Sequence, residues 1–155
     1  MFSNTTPFIA LSSIGKLELL PALFGKIHVA EAVIDECTAG GDIVVSPLRK
    51  LDWIVPVPNP TLPAPHVLIE LDKGEKATLL AALAHQANLV LIDEKIARNM
   101  AEYLGLKVAG TLGVLLKARK AGLIASSRDA ANAMRSQGGF YNPPLIDRLA
   151  TTVDE

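Results

Sequence analysis

Short apolar runs alternate with helix-forming stretches along most of this chain, and this alternation restricts its fold more than any other feature. Residues 89–92 are apolar at every position, which is typical of a strand buried on both faces of a sheet. Shorter runs at residues 1–3, 26–29 and 107–109 predict further strands, and helical stretches separate them. Strands separated by helices favour βαβ units, so the sequence predicts an α/β fold with a short parallel sheet.

Prolines place one more strand at the edge of that sheet. Residues 54–57 are apolar and mostly β-branched. Pro56 and Pro58 have no N–H to donate to a neighbouring strand, so this segment can only be an edge strand. The next segment is predicted to be a stiff loop because it contains Pro60, Pro63 and Pro65.

Several helix boundaries can also be predicted. Thr6 followed by Pro7 indicates an N-cap and first helical residue. The most apolar helix, residues 72–86, is expected to be central, and Thr111 is expected to cap a later one. Two inward faces are predicted on later helices, one formed by Ile96, Met100 and Leu104 and the other by Leu112, Leu115 and Leu116.

The composition limits the class of protein. A chain of 155 residues, half of them apolar, is the size of one domain and is not disordered, so residues 1–155 are predicted to form a single domain. Cys37 is the single cysteine, which excludes an intramolecular disulfide and suits a reducing compartment. The sequence has neither an apolar run of membrane-spanning length nor a basic signal-peptide start, so a cytoplasmic location without membrane association is expected.

The charges are unevenly distributed. Residues 1–94 contain 6 Lys or Arg and 11 Asp or Glu, whereas residues 95–155 contain 9 and 5. This asymmetry suits a metal site beside a surface that binds a polyanion. Solvated helix faces of either sign would give the same counts, and the sequence leaves both interpretations open.

Three oxygen-bearing side chains fall where a parallel sheet collects its ligands, at the carboxyl ends of strands. Asn4 ends the first strand and Asp93 ends the strand at residues 89–92. Glu75 lies in the first turn of the central helix, and Glu36 is a less well placed fourth candidate. Converging carboxylates repel one another unless a cation neutralises them, and oxygen ligands suit Mg²⁺ or Mn²⁺.

Each of these residues also has a structural explanation. Glu75 with Asp72 has the form of a capping box, and Asp93 could cap the following helix. Glu36 could lie on a solvated face, and Asn4 could be a turn residue. Their joint placement favours a metal site, and Lys95, Arg98 and Lys117 could contact a phosphate backbone nearby.

Other chemistries have less support. The three histidines have no zinc-site spacing and are expected at or near the surface: His28, His66 and His85. Cys37 is predicted to be a small core residue. Residues 110–113 could seat a phosphate on a helix N-terminus through Thr111, although an ordinary cap explains them slightly better.

Five segments, in this order, resemble the PIN-domain family, and in particular a prokaryotic branch related to the VapC toxins of toxin–antitoxin systems. They read SNTTPFI from Ser3, VIDE from Val33, LDKGEKA from Leu71, LIDEKIAR from Leu91 and VAGTLGVL from Val108. Together they span nearly the whole chain. The resemblance implies a Rossmann-like sheet with helices on both faces, an acidic Mg²⁺ or Mn²⁺ site and hydrolysis of RNA phosphodiesters.

The resemblance also implies roles for individual residues. The acidic positions of the family pattern fall on Asn4, Glu36, Glu75 and Asp93, with Glu94 adjacent. Of these, Glu36, Glu75 and Asp93 are the implied catalytic acids. The hydroxyl residue that lines such sites beside the first acid is matched by Thr5 or Thr6.

Asn4 is the main departure, because the family's first acid is usually Asp. An amide oxygen can coordinate a hard cation, but it carries no charge and cannot act as a general base. The first hypothesis is therefore a metal-dependent endoribonuclease, expected to bind an antitoxin chain if it is a toxin and to form a homodimer. The second is a PIN-like RNA-binding or protein-interaction module that does not cleave. A third, a nucleotide-binding or receiver-like domain, lacks a phosphate loop.

Overall fold

The computed structural model describes residues 1–61, 68 and 70–155, and its centre is a five-stranded parallel sheet. The strands lie in the order β3-β2-β1-β4-β5. They span Phe2–Ser3 (β1), Ile27–Ala30 (β2), Ile54–Val57 (β3), Val90–Leu91 (β4) and Val108–Ala109 (β5). The predicted edge position of residues 54–57 is confirmed, since β3 pairs with β2 alone.

Eight α-helices occur in the described residues. They span Thr5–Ser13 (α1), Leu19–Phe24 (α2), Glu31–Ala39 (α3), Lys73–Ala84 (α4), Lys95–Tyr103 (α5), Thr111–Lys120 (α6), Ser127–Ser136 (α7) and Pro143–Ala150 (α8). Short 3₁₀ turns occupy Leu48–Lys50 and Thr151–Val153. No helix among the residues described is long and apolar enough to cross a membrane.

Alternate strand residues bury opposite faces of the sheet and so create two cores. Leu91 packs into the core that α1, α2, α3, α6, α7 and α8 share. Its neighbours Val90 and Ile92 pack with Phe2 into the core beneath α4 and α5. The predicted α/β fold, a short parallel sheet between two helical layers, is confirmed.

The strand order places one crevice at the centre of the sheet. From β1 the chain moves outward through β2 and β3, then crosses back to β4 and β5 on the other side of β1. The carboxyl ends of β1 and β4 therefore flank the point where the order reverses, which is where open parallel sheets bind ligands. Asn4 and Asp93 lie at these ends, and the Asn4 N–H donates to the Leu91 carbonyl at 3.0 Å.

Some local predictions were wrong. The N-caps are Asn4 and Gly110 rather than Thr6 and Thr111, so each predicted helix begins one or two residues earlier. On α5 Met100 and Leu104 pack against the core as predicted, but Ile96 is 59% exposed and the fully buried residues are Ala97 and Ala101. On α6 Leu115 is buried and Leu112 packs against the core as predicted, whereas Leu116 is half-buried. Pro63 and Pro65 of the predicted stiff loop lie outside the described residues.

Candidate active site

Asn4 has a buried amide oxygen for which the described part of the fold supplies no donor. It is the N-cap of α1, a position whose side chain usually accepts from the second or third helical N–H. The third helical residue here is Pro7, which has no N–H, and the Asn4 side chain makes no capping bond. Asn4 is 3% exposed, and among the described residues its Oδ1 has no hydrogen-bond partner. A buried acceptor left unsatisfied in this way is costly unless a ligand satisfies it.

Glu36 joins the first turns of two helices. Its Oε2 accepts a hydrogen bond from the Thr5 hydroxyl at 2.5 Å, and its Oε1 accepts from the Gly74 N–H at 3.0 Å. Since Thr5 follows Asn4 and Gly74 precedes Glu75, the Glu36 carboxylate is bonded to the chain neighbours of the two other candidate ligands. Glu36 is half-buried and hydrogen-bonded rather than part of a solvated face of α3.

Glu75 forms the capping box that its spacing with Asp72 indicates. Its N–H donates to Asp72 Oδ1 at 2.8 Å, and its Oε2 accepts from the Asp72 N–H at 3.1 Å. It is nevertheless only 8% exposed. Burial raises the pKa of its carboxyl, and the negative charges of Asp72, Glu94 and Glu36 raise it further against the opposing backbone hydrogen bond. Capping and membership of an acidic cluster are thus both present at this residue.

Asp93 is held by three donors. The Thr111 N–H reaches its Oδ1 at 2.6 Å, and the Thr111 hydroxyl reaches its Oδ2 at 2.8 Å. The Tyr141 hydroxyl donates to the same Oδ2, also at 2.8 Å. Asp93 therefore caps α6, the helix after the next strand, rather than α5 as its position in sequence indicates. Its Oδ1 retains one lone pair for a further ligand.

Two glycines allow the backbone to approach these carboxylates. A Cβ at Gly74 would lie 2.5 Å from Glu36 Oε1. A Cβ at Gly110 would lie 2.9 Å from Asp93 Oδ1 and 2.7 Å from Arg98 Nη1. Both separations are too short for a side chain, so glycine is needed at each position for the acids to keep their places.

A cleft of about 1190 Å³ opens beside the acids. The acids Glu36, Asp93 and Glu94 line it together with the cations Lys95 and Arg98. Residues 137–142, which connect α7 to α8, also line it. Negative and positive side chains therefore share one open cavity, an arrangement that can bind a cation and a polyanion together.

The structure brings most of the predicted site residues to this place. Thr6, Glu94, Lys95 and Arg98 line the cleft, and Thr5 contacts Glu36. Thr111 is fully buried and its hydroxyl donates a hydrogen bond to Asp93, so Thr111 helps to hold that acid in place. Lys117 is not among the residues that line the cleft, and its ammonium lies 4.8 Å from the centre of the Phe24 ring.

The cysteine and the described histidines are not among the oxygen ligands predicted for this site, although Cys37 lines the cleft beside Glu36. Cys37 is buried, and its burial, together with the adjacent Glu36 charge, raises the pKa of the thiol to about 12, as suits the predicted core residue. His28 is half-buried and His85 is exposed, in agreement with the sequence. His66 lies outside the described residues.

The donor set suits a hard divalent cation. Within the described residues, no three His, Cys, Asp or Glu side chains lie close enough to hold a metal ion by themselves. Mg²⁺ does not need such a group, because it usually keeps several waters and uses one or two carboxylates. Among the described residues the Asn4 Oδ1 has no partner, and the pKa of Glu75 is raised by burial and, to a smaller extent, by the charges of Asp72, Glu94 and Glu36. Asn4 with one or two of the predicted acids would hold such an ion, and the predicted set is Asn4, Glu36, Glu75, Asp93 and Glu94.

Sequence reasoning missed two kinds of site residue. Tyr141 lies 48 positions from the acid that it contacts, and no local pattern indicates that pairing. Gly74 and Gly110 lie inside segments that the sequence analysis singled out, but the need for glycine appears only when the neighbouring carboxylates are in place.

Comparison with known proteins identifies the family. The model of the DUF3368 family, described as a PIN domain, matches residues 1–155. No match was found among curated proteins or among solved structures. PIN domains are generally nucleases that use divalent metal ions. Because the match covers the whole chain and agrees with the parallel sheet and its acidic edge, this chain belongs to the PIN-domain family.

Proposed function

We propose that this chain is a metal-dependent endoribonuclease that hydrolyses RNA phosphodiesters at the acidic edge of the sheet. The observation that carries the proposal is the buried Oδ1 of Asn4, which has no partner among the described residues. Nearby, Glu36 accepts hydrogen bonds from Thr5, the residue after Asn4, and from Gly74, the residue before Glu75. A cation there would satisfy the amide oxygen and offset the repulsion between the acids. Mg²⁺ or Mn²⁺, when bound, supplies Lewis-acid polarisation of a phosphoryl oxygen.

The chain's own residues would orient the site and the substrate. Thr5 and Gly74 fix the Glu36 carboxylate, and Thr111 and Tyr141 fix that of Asp93. Such outer contacts keep ligands in one geometry and so reduce the cost of ordering them on binding.

The cations of the cleft account for substrate binding. Lys95 and Arg98 line the same cleft as the acids and would attract the phosphate backbone. Arg98 is well placed to hold a phosphate close to Asp93, because its guanidinium and that carboxylate both face Gly110.

Cleavage of single-stranded RNA in Mn²⁺ tests this function. We expect cleavage by the wild type that stops in EDTA, and loss of cleavage in both Glu36→Gln and Asp93→Asn. Glu102→Gln, which neutralises an exposed acid of α5, is the matched control and should cleave normally. Equal cleavage by the wild type and the two site variants would refute the assignment of the metal site.

We also propose that the nuclease is the toxin of a toxin–antitoxin pair that acts in the cytoplasm. This part rests on the resemblance of the five ordered segments to VapC-type proteins. An antitoxin chain would then bind the protein and cover the cleft. Growth arrest on expression, relieved in the Glu36→Gln variant, is the expected result, and arrest that persists in this variant would contradict the toxin role.

A homodimer is part of the same proposal. Ile96 and Tyr103 are 59% and 80% exposed, and both lie on α5, seven residues apart on one side of the helix. Burial of such side chains in a second copy would stabilise a dimer. Sedimentation as a dimer, and as a monomer after Tyr103→Glu, would support this assembly, whereas a monomeric wild type would exclude it.

One specific observation favours a second function, an RNA-binding module that does not cleave. Asn4 supplies no charge, and Glu36 and Asp93 already accept hydrogen bonds on both of their oxygens. Metal affinity would then be low while Lys95 and Arg98 still bind RNA. RNA binding in excess EDTA without cleavage in Mg²⁺ or Mn²⁺ would favour this function over the nuclease.

A further inference from the structure

The loop at residues 137–142 presents an aromatic side chain to the open cleft. Phe140 is fully exposed and lines the same cleft as the acids Glu36, Asp93 and Glu94. Single exposed apolar residues are common on protein surfaces and need no explanation by themselves. Phe140 differs because the local backbone is built to hold it in this position.

Three features fix the loop around Phe140. Gly138 has a φ of 101°, and a Cβ at Gly139 would lie 2.7 Å from the Tyr141 ring, so both positions need glycine. The Tyr141 hydroxyl is bonded to Asp93, and the Asn142 side chain caps α8 by accepting from the Leu145 N–H. Tyr141 is thus drawn inward to the acid, and Phe140, the residue before it, remains on the solvent side of the loop.

We propose that Phe140 is a stacking platform for one base of a single-stranded RNA bound in the cleft. The proposal rests on the ribonuclease function and adds a base subsite to it. Unpaired bases stack on exposed aromatic rings, and the neighbouring cations Lys95 and Arg98 attract the phosphates of the same strand. The cleft, at about 1190 Å³, exceeds the usual size of a small-molecule pocket and suits a stretch of polymer.

The platform also explains why the loop is attached to an acid of the site. Tyr141 fixes the position of Asp93 relative to the loop backbone from which Phe140 projects. A base stacked on Phe140 would hold its own strand in one register relative to the acids. Phe140 is accordingly a substrate-positioning residue.

Fluorescence of a tryptophan at this position tests the stacking directly. In EDTA, a single-stranded oligoribonucleotide should quench the emission of Phe140→Trp. The control is Leu123→Trp, which places the same probe at a position 46% exposed that does not line the cleft. Trp53 is buried and gives both variants the same background. Equal quenching of both variants, or quenching of neither, would overturn the proposal.

Affinity measured without metal provides the second test. Phe140→Ala should bind labelled single-stranded RNA about 5- to 150-fold more weakly than the wild type, the usual range for loss of one stacked base. Phe140→Tyr, which keeps the ring, should restore the affinity. Unchanged affinity in Phe140→Ala would overturn the proposal, and the exposure of the residue makes unfolding a poor explanation for a loss.

Failure of this inference can be separated from failure of the ribonuclease proposal. Metal-dependent cleavage with no effect of Phe140→Ala would refute the base subsite alone. Quenching and weakened binding without any cleavage would support the subsite and refute the nuclease. A wild type that binds no RNA in EDTA would overturn the subsite, and Phe140 would then be a candidate for a protein contact.

Discussion

The hydroxyl of Tyr141 donates a hydrogen bond to Oδ2 of Asp93 at 2.8 Å and so joins the loop before the last helix to the acid at the end of β4. Burial raises the pKa of the Tyr141 hydroxyl, and the charges of Asp93 and Glu94 raise it further, so it remains protonated and able to donate. This hydrogen bond therefore connects the loop at residues 137–142 to Asp93, and both line the cleft.

Loss of this hydroxyl should weaken the metal site without unfolding the protein. In Tyr141→Phe, Asp93 keeps both contacts from Thr111 but loses the third donor that limits its movement. Loss of a ligand's outer partner typically lowers metal affinity about 10-fold or more. Calorimetric titration with Mn²⁺ measures this, and Tyr103→Phe, at an exposed tyrosine, should leave the affinity unchanged.

Two glycines within helices should respond in opposite ways to alanine. Gly113→Ala should raise the free energy of unfolding by up to ~1 kcal/mol, because a Cβ there meets only Ala109 at 3.8 Å and alanine favours a helix. Gly74→Ala should lower it by ~1–3 kcal/mol, since its Cβ would displace the Glu36 carboxylate. Urea unfolding of both variants provides the comparison, and a gain in both would show that Glu36 moves aside freely.

Local patterns in the sequence were enough for the architecture. The all-apolar residues 89–92 indicated a buried parallel strand, and the prolines at 56 and 58 indicated an edge strand, since each depends on a residue's own backbone or burial. Boundaries were less accurate: residues 89–92 contain a β4 of only two residues. Helix α5 turned Ala97 and Ala101 inward because only small side chains fit close to the sheet, and periodicity alone does not reveal that spacing.

The candidate site was predictable in part for the same reason. Asn4, Glu75 and Asp93 follow directly from strand ends and a helix start, and the sheet topology brings such points together. Tyr141 and Phe140 were not predicted, because the position of the loop depends on how α7 and α8 pack, which no short pattern encodes. The role of Lys117 near phosphate was inferred from charge alone, and the fold places this residue over Phe24 instead.

The stability of the metal-free protein should depend on pH through Glu75. Its pKa is raised above the unfolded value of about 4.3, so the folded state binds the proton more tightly. Stability should therefore fall as pH rises from that value through the raised one. We expect Glu75→Gln to melt at a higher temperature than the wild type at pH 8 in EDTA. Its melting temperature should also fall less steeply as the pH rises.

The control for Glu75 is Glu102→Gln on the exposed side of α5. Melting temperatures at pH 5 and pH 8 should differ by the same amount in this variant as in the wild type. A wild type and a Glu75→Gln variant with identical slopes would contradict the account of Glu75.

A second pH effect of opposite sign should arise at Glu155. Desolvation opposes its ionisation, but hydrogen bonds from Ser126, Ser127 and the Arg128 N–H prevail and lower the pKa of its carboxyl to about 2. The stability that this carboxylate contributes is complete above about pH 4.3 and is lost as pH falls through about 2. Glu155→Gln should therefore melt earlier than the wild type at pH 7 but not at pH 2.

The neighbouring Asp154→Asn is the matched control for that change, since Asn also adopts the left-handed backbone found there, with a φ of 61°. Thermal unfolding followed by circular dichroism should show no shift in this variant at pH 7. Equal shifts in both variants would mean that general charge, rather than the cap on α7, is responsible.

Binding of Mn²⁺ to the wild type, Asn4→Asp and Glu36→Gln, measured by isothermal titration calorimetry, tests the central claim of a metal site at this edge of the sheet. We predict micromolar binding in the wild type, tighter binding in Asn4→Asp because a charge is added, and loss of binding in Glu36→Gln. The claim would be contradicted if Glu36→Gln bound Mn²⁺ as the wild type does, or if neither the wild type nor Asn4→Asp bound it.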